Sequence, residues 1–144
     1  MRIFFLVTGG NGIGNVCEWR GVRRGERMGE DEFNLYLSTI PAISLSAREE
    51  RQLARRSANG DESARKQLIA LHLRLVAELA THYAGSGLTS LDLVEEGNVG
   101  LMKAAKRYSP KKGRRFADYA TWWIRREIGR VLREPARKRK KSRI

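Results

Sequence analysis

The chain has few of the residues that staple, anchor or kink a fold. One cysteine, Cys17, stands among 144 residues, which excludes an internal disulfide framework and suits a reducing compartment such as the cytoplasm. Neither His72 nor His82 is spaced with Cys17 like a zinc site. Only three prolines interrupt the chain, so long stretches are free to run as helix. No apolar run approaches the roughly 18 residues of a bilayer span, and IFFLV near the start is too short for the apolar core of a secretion signal. TGGNGIG at 8–14 has glycines, but Gly10, Gly12 and Gly14 are not spaced as G-x-G-x-x-G and no helical pattern follows, so a dinucleotide-binding turn is disfavoured. No triad, metal-ligand set or phosphate loop marks a catalyst; no cofactor or metal is expected, and the chain reads as a binding protein rather than an enzyme.

Acidic residues are scarce at one end. From Lys103 to Ile144 there are 17 Lys/Arg against 3 Asp/Glu, whereas residues 1–102 hold 12 against 13, so the net +13 sits almost wholly in the last 42 residues. Such a balance implies an acidic partner. Nucleic acid fits better than a membrane, because the basic segment interleaves arginines with aromatics and has no broad lipid-facing stripe.

The stretch Tyr119–Gly129, YATWWIRREIG, carries this argument. At 100° per residue, Ala117, Ala120, Ile124, Ile128, Val131 and Leu132 share one face, an ordinary core stripe. Tyr119, Trp122, Trp123, Arg126 and Arg130 fall within an arc of about 100° on the other side. With the core face already filled, the aromatic face is expected to be a binding surface, with room for one tryptophan to be partly buried. Exposed aromatics among cations are what holding a nucleic-acid backbone and stacking on its bases require.

The remaining elements are helical. Glu32–Ile40 reads as a short amphipathic helix stopped at Pro41. Ser46-x-x-Glu49 is a capping box opening a helix over 47–58, which Asn59-Gly60 ends. Asp61 caps a following helix with Leu68, Leu71, Leu75, Leu79 and Tyr83 as its apolar stripe, broken by Gly85 and Gly87. Thr89 or Ser90 opens a helix to about Arg107, the loop SPKKGRR follows, and Pro135 ends the aromatic helix. The expectation is an all-α bundle over 31–133, preceded by a disordered or mis-assigned extension at 1–30 and followed by a disordered basic tail at 134–144. From Arg133 to Arg143 that stretch holds 7 Lys/Arg and one acid. Residues 1–27 stand outside the pattern, and Met28 is the expected true start.

LHLRLV, GNVGLMKAAKRY and YATWWIR, in this order, resemble region 2 of bacterial sigma-70-type transcription initiation factors. DEFNLYL and SLSAREERQLARRSANGDESARKQLIALHLR are similar to that family's region 1.2 and its lead into region 2.1. The resemblance covers about Asp31 to Leu132. It implies a compact helical domain like sigma domain 2. Its partners would be core RNA polymerase and promoter DNA, mainly the non-template strand of the minus-ten element.

The resemblance also implies roles. Tyr108 and Tyr119 match the aromatic pair around the flipped adenine; Tyr108 stands where many members have Phe. Trp122 and Trp123 match the dyad at the upstream edge of the bubble. Lys111, Lys112, Arg114 and Arg115 would hold phosphates beside this cluster, or else form a solvated loop. Phe116 is open between core and DNA, and His72, where the family commonly has Asn, carries a weak DNA assignment. Arg126 replaces a Gln that reads the upstream base pair, and Gly129 a hydroxyl residue. Because arginine prefers the guanine edge, sequence preference there is expected to be altered or relaxed. In region 2.2, Asp92, Glu95, Glu96 and Asn98 would face a coiled coil of the polymerase's largest subunit, with Leu91 and Met102 packing nearby. Glu95 stands where the family usually has Gln. The alternative for these acids is compensation of a helix N-terminus.

The expectation is a truncated form of the family's chain, with regions 1.2 to 2.4 and without regions 3 and 4. Two functional classes follow: a minimal initiation factor that binds polymerase and melts the minus-ten element, or a truncated decoy that occupies polymerase without initiating. An enzyme using the TGGNGIG segment is a third reading, and a general basic single-strand binder is a weaker alternative.

Overall fold

A computed structural model describes residues 3–7, 17–21, 30–40 and 44–134, with side chains described from residue 33 onward. The TGGNGIG segment at 8–14, Met28, Pro41, Pro135 and residues 136–144 lie outside the described residues. Two strands, β1 (Ile3–Val7) and β2 (Cys17–Gly21), pair antiparallel with Phe5 opposite Trp19. The rest is all-α, as expected: α1 (Glu30–Thr39), α2 (Ala47–Ala58), α3 (Glu62–Ala70), α4 (Leu73–Thr81), α5 (Ser90–Arg107) and α6 (Phe116–Arg133), with a 3-10 turn at Pro110–Lys112.

Local chemistry sets most boundaries. Ser46 Oγ accepts from the Glu49 amide while Glu49 Oε2 accepts from the Ser46 amide at 2.9 Å, closing the capping box of α2. Gly60 ends that helix at φ +92°, a left-handed turn that a side chain would strain. Asp61 accepts from the Ala64 amide at 3.0 Å and starts α3. Thr89 and Asp92 form a second capping box at the start of α5.

The single helix expected from Asp61 to Tyr83 is in fact two. His72 Nδ1 bonds the Leu68 carbonyl at 2.7 Å, the acceptor its own amide would use in an unbroken helix; that amide turns instead to Ile69 O at 3.0 Å. The break shifts the buried face. Leu68 and Leu79 are buried as expected, but Leu71, Leu75 and Tyr83 are only half-buried, and Ile69, Leu73, Val76, Ala77 and Ala80 fill the core.

The core forms where α5 crosses α6 and α4 closes over them. A Cβ on Gly100 would lie 2.6 Å from the Trp123 carbonyl oxygen and 2.8 Å from Ile124 Cα, and one on Gly97 would lie 2.6 Å from Val76 Cγ1. Bare backbone at these two positions lets the helices meet closely. Leu91, Leu93, Leu101, Phe116, Ile124 and Ile128 are fully enclosed at this crossing. The α6 core stripe follows the helical period: Ala120, Ile124, Ile128 and Val131 are buried, Ala117 and Leu132 half-buried.

Candidate nucleic-acid interface

The loop before α6 and the outer side of that helix gather the aromatic residues into one ladder. Ring centroids lie 4.7 Å apart for His72–Phe116, 5.3 Å for Phe116–Tyr108, 5.5 Å for Tyr108–Tyr119, 6.4 Å for Tyr119–Trp123 and 5.1 Å for Trp123–Trp122. Most contacts are edge-to-face, the geometry ring quadrupoles prefer. The two tryptophans differ sharply: Trp122 is 53% exposed and Trp123 only 7%. On the helical wheel Trp123 sits at the margin between core and outer face, and Arg107 from α5 covers it, its guanidinium carbon 5.0 Å from the ring centre. Arg126 lies over both indoles, at 5.1 Å from Trp122 and 5.3 Å from Trp123. The buried Trp123 N–H has no acceptor among the described residues.

Phe116, left open by its sequence, is fully buried and supports the ladder from beneath. The Tyr108 hydroxyl donates to the Arg114 carbonyl, tying the ladder to the basic loop. Burial, then the Glu50 charge, push the Tyr108 phenol above its ordinary value; Arg51 and Arg115 oppose this. Lys111, Lys112, Arg114 and Arg115 are all exposed.

A residue the sequence reading missed holds this loop to the helix. Arg115 occupies the cap position of α6 and offers no capping side chain. Glu50 of α2 does so instead: its Oε1 accepts from the Phe116 amide at 2.9 Å, and its Oε2 lies 3.2 Å from the Arg115 guanidinium and 3.5 Å from His72 Nε2. A buried carboxylate at a helix N-terminus satisfies an orphan donor and opposes the positive end of the dipole. Glu50 lies 66 positions before Phe116, so no local spacing could reveal it.

Arg130 does not join the ladder. Its guanidinium pairs with Glu127 at 3.2 Å, Glu134 at 3.1 Å and Glu96 at 3.8 Å. Glu127, also missed, is 3% exposed and accepts from Lys103 Nζ at 2.7 Å. Burial pushes the Glu127 carboxyl up, but the hydrogen bonds and charges of Lys103 and Arg130 together outweigh it and hold the group below its ordinary value.

The six α5 residues that the resemblance assigns to polymerase are not one exposed face. Leu91, Asp92 and Asn98 are buried, at 2%, 5% and 3% exposure. Asp92 caps the helix through the Thr89 amide, which is the dipole-compensating role its position allows. Burial pushes the Tyr36 phenol above its ordinary value, and the neighbouring Asn98 amide opposes that rise. Glu95, Glu96 and Met102 are half-buried, and Val99, not singled out by its sequence, is exposed between them. Among the described residues no helix is long and apolar enough to cross a membrane, and no group of three His, Cys, Asp or Glu side chains is placed to hold a metal ion.

Comparison with known proteins places this geometry. Residues 68–139 match the Sigma-70 region 2 family. The RNA polymerase sigma factor RpoS of Coxiella burnetii is 45% identical over 116 residues, covering 80% of this chain and 33% of that protein. SigA of Clostridium acetobutylicum, also an RNA polymerase sigma factor, is 48% identical over 109 residues, covering 75% of this chain and 29% of its own length. SigA of a Bacillus species is 45% identical over 108 residues, 74% of this chain and 29% of that one. The chain thus spans about a third of the length of these relatives. The region 2 match extends from α3 through α4, α5 and the whole aromatic helix, and on that ground the chain belongs to the sigma-70 family.

Proposed function

We propose that this chain binds core RNA polymerase and captures the non-template strand of a promoter's minus-ten element, acting as a strand-trapping factor without catalysis of its own. The observation that carries the reading is Trp122: an indole half open to solvent, braced edge-on by buried Trp123 and overlaid by Arg126. Unpairing and extruding a base costs a few kcal/mol, and a fixed aromatic face offsets about 1–3 kcal/mol of that for each stacked base. Tyr108 and Tyr119 extend the stacking surface, and Lys111, Lys112, Arg114 and Arg115 supply positive charge beside it for phosphates. Arg126, which lies over both indoles, reads the upstream base pair in this scheme. The polymerase-facing surface is the outer side of α5, with Glu95, Glu96, Val99 and Met102 against the coiled coil of the largest subunit; Leu91, Asp92 and Asn98 shape that helix from within.

The test mixes the chain with core polymerase and fork-junction DNA bearing a minus-ten strand or a scrambled one, at fixed salt, and scores both gel shift and abortive transcripts. Sequence-dependent binding with short transcripts is the expected result, and Trp122→Ala should weaken binding about tenfold to a hundredfold. Polymerase binding without transcripts would identify a decoy instead. Equal binding of both strands with no polymerase contact would reduce the chain to a general single-strand binder.

A further inference from the structure

Beyond the aromatic ladder, one turn along α6, the surface changes character. Glu127 lies four residues after Trp123, and Lys103 lies four residues before Arg107, whose guanidinium covers Trp123. The ladder therefore runs directly into the Lys103–Glu127–Arg130 ion pairs. With Glu96 and Glu134 also on Arg130, two cations here face three carboxylates. These five groups together carry no surplus positive charge.

We propose that Glu127 is a specificity-determining residue of the nucleic-acid face, a buried counter-charge that holds Lys103 and Arg130 in ion pairs and withholds their charge from phosphates. This rests on the reading of the ladder as a DNA-stacking surface and deepens it. Phosphate contacts add affinity without sequence information. Lys103 and Arg130, if freed, would add to the Arg107 and Arg126 charges already beside Trp123 and raise the nonspecific background against which base stacking must discriminate. Specificity is a difference of affinities, so suppressing the nonspecific component raises it as effectively as a new base contact. The carboxyl is held below its ordinary value, so the counter-charge is present at neutral pH. Glu127 touches no strand in this scheme; it acts through the two cations it engages.

The test measures affinity of the full chain for a single strand carrying the minus-ten sequence and for a scrambled strand, across a salt series. Glu127→Gln keeps the side chain's shape and removes its charge. On the scrambled strand, the slope of log affinity against log salt should steepen by about 0.7 for each freed cation that reaches a phosphate. The scrambled strand should bind several-fold tighter, and the ratio of preferred to scrambled affinity should fall. Glu127→Asp, which keeps the charge, should restore the original slope. Lys103→Met should leave the slope as it is, because the Lys103 charge is already neutralised. A slope unchanged by Glu127→Gln overturns the proposal, as does a slope that flattens by about 0.7 in Lys103→Met. Thermal melting accompanies each variant; should Glu127→Gln fail to fold, the partly exposed Lys103 decides the question alone. A wild-type chain that binds both strands equally overturns the minus-ten reading, while the slopes still report whether Glu127 withholds charge.

Discussion

Trp122 and Trp123 are neighbours in the chain with different physical duties. Trp122 keeps half its surface in water, so Trp122→Ala should change folding stability by less than about 0.5 kcal/mol while impairing strand binding. Trp123 is enclosed between Arg107, Arg126, Tyr119 and its neighbouring indole, and Trp123→Ala should cost about 3–5 kcal/mol of stability. Urea denaturation of the two variants separates these outcomes; equal losses would refute the division. That both rings lie on the outer side of the helix was legible in the sequence, since both fall in one arc of the helical wheel. Their unequal burial was not, because it depends on Arg107, which reaches over from another helix. Arg130 teaches the same lesson: its arc matched the aromatic face, but Glu96 and Glu127 claim its guanidinium.

At the scale of elements, helix starts were legible wherever the cap lies within three residues of its amide. Ser46, Asp61 and Thr89 all act as the local spacing implies. The start of α6 was not, because Glu50 caps it from α2. The break at His72 escaped for a subtler reason: the leucine spacing favours an unbroken helix, and one imidazole competing for one carbonyl overrides it. The contact between α5 and α6 depends on Gly100, where an added methyl would meet unyielding backbone rather than a movable side chain. Gly100→Ala should therefore destabilise the chain by about 1–3 kcal/mol, measured as a lowered urea midpoint. Gly129→Ala, whose nearest contact is the flexible Arg133 guanidinium at 3.4 Å, should be tolerated. The reverse order would mean that the helices do not cross as described.

Across the whole molecule, charge links stability to pH. Glu49 is held below its ordinary value first by the Ser46 hydroxyl, and Asp61 first by the Ala64 amide and then by Arg56; Glu127 is lowered as well. Because these carboxyls have lower values folded than unfolded, their contribution is complete above the ordinary carboxylate range and is lost as pH falls through the folded values. Melting temperature should drop between about pH 6 and about pH 3, and Glu127→Gln should make that drop shallower. A melting temperature flat across this window would contradict the assignment. The helical class, most cap positions, the core stripe of α6 and the cationic C-terminal third all follow from residue types and spacings, because they depend on interactions spanning a turn or less and on summed charge. Which tryptophan faces water, which acids on α5 are buried, how α6 is capped and whether Arg130 is free are set by elements tens of residues apart, since burial and ion pairing depend on what packs across a side chain and not on what precedes it.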